Sequence, residues 1–253
     1  MVICDLDATL LNSDKNVSER NLAALEACRA KGILIGIATA RAEGAASRMI
    51  EAVKPDVLVL SGGAVVKYQG QLISEALIGA DTAKAIAQRL SKDESVLFVA
   101  LTTSDGLFTN KAADRENPSW RDYHHSKHVD FADFEFVSAQ KIVPHLPWEL
   151  AQSVAADFDD VALIRFSDGD WVQFACKNAT KYNGVAAAAK HLGINMNEIL
   201  AFGDDFNDLE MLEKVGFGVA MDNAIPEVKA VAKYFTASND NDGVAAWLEN
   251  NIL

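Results

Sequence analysis

The sequence predicts an α/β protein: a parallel-sheet core with helices on both faces, interrupted by an inserted α+β unit. Three observations predict it. Short apolar, β-branched runs alternate with helical patterns near both ends of the chain, as parallel strands with crossover helices do. Between about residues 81 and 177 the texture changes to helices mixed with alternating, strand-like runs. The core strands also lead into polar residues, the place where open parallel sheets collect their ligands.

The first strand is Met1-Val2-Ile3-Cys4, which runs into Asp5-Leu6-Asp7-Ala8-Thr9. Ser18 is placed to N-cap a helix through Leu22, Leu25 and Cys28, and Gly32 to end it. Ile33–Ala38 reads as a second buried strand ending at Thr39, followed by a helix over 45–53 and a third strand at Val57–Leu60. In the insert, 81–92 and 148–157 read as helices, and 95–102, 161–166 and 171–176 as strands. The last two form a hairpin turning on Ser167-Asp168-Gly169, and the polar stretch 110–130 is a long loop. The core pattern resumes with a helix from Thr180 to Gly193 and a strand at Ile199–Phe202 that ends at Gly203-Asp204-Asp205. Then come a helix over 207–215, a strand over 217–221, a helix opened by Pro226 and a final helix over 242–253. The expected domains are a discontinuous Rossmann-like core, residues 1–80 and 178–253, and an α+β cap, residues 81–177.

Composition narrows the partners. The 253 residues are half apolar, and 36 acidic side chains against 23 basic ones leave a formal charge of −13. Nucleic acid and anionic membrane surfaces both select for positive charge, so neither is expected as a partner. Three cysteines without a CxxC pair, and no signal-like or membrane-length apolar run, lead to the expectation of a cytoplasmic protein, monomeric or homodimeric.

The strands lead into Asp5 and Asp7, Thr39, Ser61, then Asp204 and Asp208, and Lys181 opens the helix after the insert. Carboxylates, hydroxyls and one lysine are therefore expected to converge on one edge of the sheet. Paired carboxylates suit a hard cation such as Mg²⁺, which takes oxygen ligands and often only one or two carboxylates. The set suits phosphoryl transfer through a carboxylate nucleophile, with a metal offsetting the repulsion between two anions. Thr39 can donate to a phosphoryl oxygen, Lys181 can supply fixed positive charge, and a second carboxylate can serve as general acid and base.

Four motifs in order resemble the haloacid-dehalogenase superfamily, specifically a Cof-like phosphatase with a large α/β cap: Asp5-Leu6-Asp7-Ala8-Thr9, Ala38-Thr39-Ala40-Arg41, Lys181, and Gly203-Asp204-Asp205-Phe206-Asn207-Asp208. The stretches Val219–Ala224 and Ser238–Val244 are similar to the same branch. The resemblance implies Asp5 as nucleophile and Mg²⁺ ligand. It implies Asp7 as acid/base, with its backbone carbonyl on the metal. Thr39, the N–H of Ala40, Lys181 and Asn207 would bind phosphate. Asp204 would ligate Mg²⁺, with Asp208 as an acid supporting the metal site. The implied substrate is a small phosphorylated metabolite, a sugar phosphate or phosphorylated cofactor.

Ala8 and Ala40 stand where the family usually has glycine, and Gly62 where it has asparagine. The two alanines are therefore expected at strained or shifted positions. Three other readings stay open: a phosphomutase, a member that binds phosphate but catalyses weakly, and a phospho-accepting signalling module. The last is the least compatible with an insert of about a hundred residues. His124, His125 and His128 read as a solvated loop rather than a metal site, with Trp120, Arg121 and Tyr123 beside them as candidates for substrate choice.

Overall fold

The computed structural model describes residues 1–112, 123, 125–166 and 170–253. The chain divides into two compact units, Met1–Glu75 with Thr180–Leu253, and Ala76–Ala179.

The first unit begins with β1 (Val2–Cys4), α1 (Glu19–Ala30), β2 (Ile35–Ala38), α2 (Glu43–Val53) and β3 (Val57–Leu60). Two further strands, β4 (Val65–Tyr68) and β5 (Gln71–Glu75), follow as an antiparallel hairpin that the sequence reading does not contain. Its tip, Gln69-Gly70, has φ of 48° and 79°, the left-handed geometry of a tight hairpin turn. Glutamine replaces the usual asparagine there, which weakens the signal.

The second unit contains α3 (Ala80–Ser91), β6 (Phe98–Thr103), β7 (Gly106–Thr109), β8 (Lys127–His128), β9 (Ala139–His145), α4 (Trp148–Ala155), β10 (Val161–Arg165) and β11 (Val172–Cys176). The sheet order is β10-β11-β9-β6-β7-β8, antiparallel except for β7 with β8. Along β6, Val99 and Leu101 join a core with Ile86, Leu90 and Ala151 of α3 and α4. Phe98 and Ala100 point the other way, to Val143 and Trp171. Strands β10 and β11 pair antiparallel from Val161 with Cys176 to Arg165 with Val172. The expected turn, Ser167-Asp168-Gly169, lies outside the described residues, as do Trp120, Arg121 and His124. The expected long loop over 110–130 needs correction where it is described, because Lys127 and His128 pair with Phe108 and Thr109. Strand β9 is absent from the sequence reading, since Pro144, Gln140 and Lys141 break the apolar alternation.

The chain returns to the first unit through α5 (Lys181–Leu192), β12 (Leu200–Gly203), α6 (Leu209–Lys214), β13 (Phe217–Ala220), α7 (Pro226–Val231), β14 (Tyr234–Phe235) and α8 (Gly243–Asn251). The first unit's sheet is ordered β14-β13-β12-β1-β2-β3-β4-β5. Six neighbouring strands, from β14 to β3, run parallel. Helix α1 packs with α2 and α8, and α6 packs with α5 and α7, which gives two separate groups of helices around the sheet. Strand β1 lies centrally, between β12 and β2, so the chain order reverses beside it. Such a switch point opens a crevice at the carboxyl ends of the strands.

Local signals account for the helix boundaries. Ser18 Oγ accepts the Asn21 N–H at 3.0 Å and Thr180 Oγ1 accepts the Asn183 N–H at 3.0 Å. Pro226 occupies the first turn of α7. Cys4 and Cys28 are buried and unbridged, and Cys176 is a partly buried free thiol. Among the described residues no helix is long and apolar enough to cross a membrane.

Candidate active site

The carboxyl ends of β1 and β12 lie side by side, with Cys4 paired to Phe202 and the Asp5 N–H donating to Phe202 O at 3.1 Å. This register brings the Asp5 turn beside the Asp204 turn, although about two hundred residues separate them. The chain then closes a tight turn, with the Leu10 N–H donating to Asp5 O at 3.3 Å and the Leu11 N–H to Leu6 O at 2.8 Å. Ala8, inside that turn, has φ 55°, so the substitution of alanine for glycine places a Cβ in the left-handed region. Ala40 does not share this strain, because it is not among the residues with positive φ; here the expectation is corrected. Gly62 has φ 73°, a conformation that asparagine also tolerates.

Asp5, Asp204 and Asp208 are buried, and one carboxylate oxygen from each lies within 4.8 Å of the others. Lys181, at the first turn of α5, donates to Asp5 Oδ1 at 2.6 Å and to Asp208 Oδ1 at 2.7 Å. Asp208 Oδ2 accepts the N–H groups of Asp204 and Asp205 at 3.0 and 3.2 Å. Both oxygens of Asp208 are thus engaged by N–H donors, and the residue ties Lys181 to the loop that carries Asp204. Gly203 permits this packing: a Cβ there would lie 2.5 Å from Asp208 Cγ.

Burial near other acids shifts the protonation of Asp5 and Asp204. Desolvation pushes the Asp5 carboxyl well above the usual range, and the charges of Asp208 and Asp204 add to the effect of burial against the opposing pull of Lys181. Asp204 rises to about 7, mainly through burial and the nearby Asp208, although the Thr9 hydroxyl donates to its Oδ1 at 2.6 Å. Burial works against the Lys181 ammonium, but Asp208 and Asp5 outweigh it, so its pKa is raised and the lysine stays charged.

Asp7 takes a different position. Its carboxylate is not part of the buried triad but accepts from Arg41 through both oxygens, Nε to Oδ2 at 2.7 Å and Nη2 to Oδ1 at 2.8 Å. Lys15 donates to Oδ1 at 3.0 Å. Partial burial would raise the Asp7 pKa, but the hydrogen bonds and charge of Arg41, joined by Lys15, lower it to about 2. Thr39, at the end of β2, is buried, and its Oγ1 accepts the Arg41 N–H at 3.1 Å. Ala40 and Asn207 are half-buried, Ala40 in the loop after β2 and Asn207 in the 3-10 turn Phe206–Asp208 after β12. Thr9 and Arg41 lie inside the motifs but gain a role only from their partners, Asp204 and Asp7.

The model of the haloacid dehalogenase-like hydrolases matches residues 2–248. A Streptococcus pyogenes protein named as a putative phosphatase is 30% identical, with 100% of this chain aligned to 98% of that one. Among solved structures, a sugar phosphatase of HAD subclass IIB superposes with a TM-score of 0.85 at 25% identity, covering 98% of this chain and 97% of the other. A HAD phosphatase from Bacteroides thetaiotaomicron gives a TM-score of 0.83 at 28% identity, over 98% and 93% of the two chains. The chain belongs to the haloacid dehalogenase-like hydrolase family, on its Cof-like phosphatase branch.

Proposed function

We propose that the protein is a Mg²⁺-dependent phosphatase of small phosphomonoesters, sugar phosphates foremost, and that it works through an aspartyl-phosphate on Asp5. The observation that carries this reading is the buried triad. Three acids lie within 4.8 Å of one another, one lysine pairs with Asp5 and Asp208, and burial raises the pKa of Asp5 and Asp204. Such a crowding of carboxyl oxygens fits a hard divalent cation, whose charge would favour their ionised form. Asp5, Asp204 and the carbonyl of Asp7 would hold Mg²⁺, with Asp208 anchoring the site behind them. When bound, the ion supplies charge neutralisation between the nucleophile and the phosphoryl oxygens.

In this reading an Asp5 carboxylate oxygen attacks phosphorus and the bond to the leaving alkoxide breaks. Lys181, held by Asp5 and Asp208, offers its charge to the phosphoryl oxygens, and Thr39 and the Ala40 N–H donate to them. Asp7, as a carboxylate beside Arg41, is set to accept a proton from the water that hydrolyses the intermediate. To protonate the leaving alkoxide it must first take up a proton, which requires loosening of the Arg41 contacts. The sugar-phosphate preference rests on the likeness to the subclass IIB sugar phosphatase.

Asp5→Asn tests the nucleophile. The variant should remain folded and lose turnover of p-nitrophenyl phosphate by at least about a thousandfold; retained activity would overturn the assignment. Hydrolysis of a phosphomonoester panel, with Mg²⁺ and with chelator, tests both the metal and the substrate class.

A further inference from the structure

The two C-terminal motifs that resemble the Cof-like branch have no part in the chemistry above, yet their asparagines reach the nucleophile turn. Asn223, in the loop after β13, donates through Nδ2 to the carbonyl of Ala8 at 2.7 Å. Asn239, after β14, donates its N–H to Asn223 Oδ1 at 2.9 Å and its Nδ2 to the carbonyl of Leu11 at 2.9 Å. Asp240 accepts the N–H and hydroxyl of Ser13, both at 2.7 Å. We propose that Asn223 and Asn239 are positioning residues that hold the nucleophile turn in its working shape and offset the strain of Ala8. The proposal rests on the phosphatase reading of the site.

The two asparagines act through one peptide plane. The Ala8 carbonyl and the Thr9 N–H belong to the same rigid amide, so a donor on that oxygen sets the direction in which Thr9 leaves the turn. Thr9 in turn donates its hydroxyl to Asp204 Oδ1 at 2.6 Å. Asn239, Asn223, Ala8, Thr9 and Asp204 therefore form a continuous path from the tail to the acid triad. Ala8 is the weak point, because alanine at φ 55° has a steric bias toward the right-handed and extended regions. Glycine would hold that conformation without help. Asn239 is buried, whereas Asn223 is exposed and can be replaced with little risk to the core.

The test uses Asn223→Asp, which keeps the size and the acceptor for Asn239 but loses the donor to Ala8. It is made in the wild-type background and together with Ala8→Gly. With Ala8, the variant should lower kcat for p-nitrophenyl phosphate by about tenfold while KM and Tm stay close to wild type. In the Ala8→Gly background most of that loss should disappear. Amide hydrogen exchange at Thr9, Leu10 and Leu11 should speed up with Ala8 present, and less so with glycine. Equal losses in both backgrounds, or unchanged exchange in the turn, would overturn the proposal. So would a fall in Tm without a fall in kcat. If the wild-type protein hydrolyses none of the esters tested, the phosphatase reading fails separately and the exchange measurement alone decides the role of the brace.

Discussion

At the scale of single residues, the two aspartates of the first motif occupy opposite electrostatic settings although one residue separates them. Asp5 shares a buried site with two other acids, whereas Asp7 is surrounded by Arg41 and Lys15. A carboxyl with a lowered folded pKa stabilises the fold above its unfolded pKa, and that contribution is lost as pH falls through the folded value. For Asp7 the window runs from about 4 down to about 2. In urea unfolding, Asp7→Asn should therefore be less stable than wild type at pH 5, and the gap should narrow as the pH drops through that window. A gap independent of pH would mean that these ion pairs contribute nothing, which can happen where the pair is partly exposed. The acid pair was legible in sequence because acids at a strand end stand out. Its division into two environments was not, because Arg41 lies 34 positions from Asp7.

At the scale of elements, the site depends on how closely neighbouring strand ends approach. Gly203 ends β12 against Asp208, whose oxygens are held by Lys181 and two backbone N–H groups and so cannot move aside. Gly203→Ala should destabilise the protein by about 1–3 kcal/mol, read from the urea midpoint. It should also lower turnover of p-nitrophenyl phosphate, because Asp208 and with it Lys181 are displaced. A fully active, equally stable variant would show that the loop yields. The strands around this point were readable as continuous β-branched runs, since burial on both faces demands them. The β4–β5 hairpin and β9 were not. Each departs from the local pattern, the first through Gln69-Gly70 at its turn and the second through Pro144, and tertiary pairing overrides the weak propensity.

At the scale of the whole molecule, the two units have separate cores. Ile78, Leu101, Phe131 and Phe174 belong to one, and Ile3, Leu25, Val59 and Phe202 to the other. Residues 76–179 are contiguous in sequence and contain their own sheet and helices, so we expect them to fold alone. Expressed as an isolated segment they should show a cooperative thermal transition by circular dichroism and no hydrolysis of p-nitrophenyl phosphate. A non-cooperative, molten segment would show that this unit needs the rest of the chain.

The amino-acid sequence by itself determined the strand-forming runs, the helix caps and the inventory of reactive groups, because these follow from side-chain chemistry and local backbone preference. Only the tertiary structure decided which groups meet. The parallel register of β1 with β12 joins Asp5 to Asp204 and Asp208, and α5 adds Lys181. The same packing sends Asp7 to Arg41 and lays Asn223 on Ala8. Those pairings join residues far apart in the chain, so they exist only once strand hydrogen bonding and core packing have set one strand end beside another.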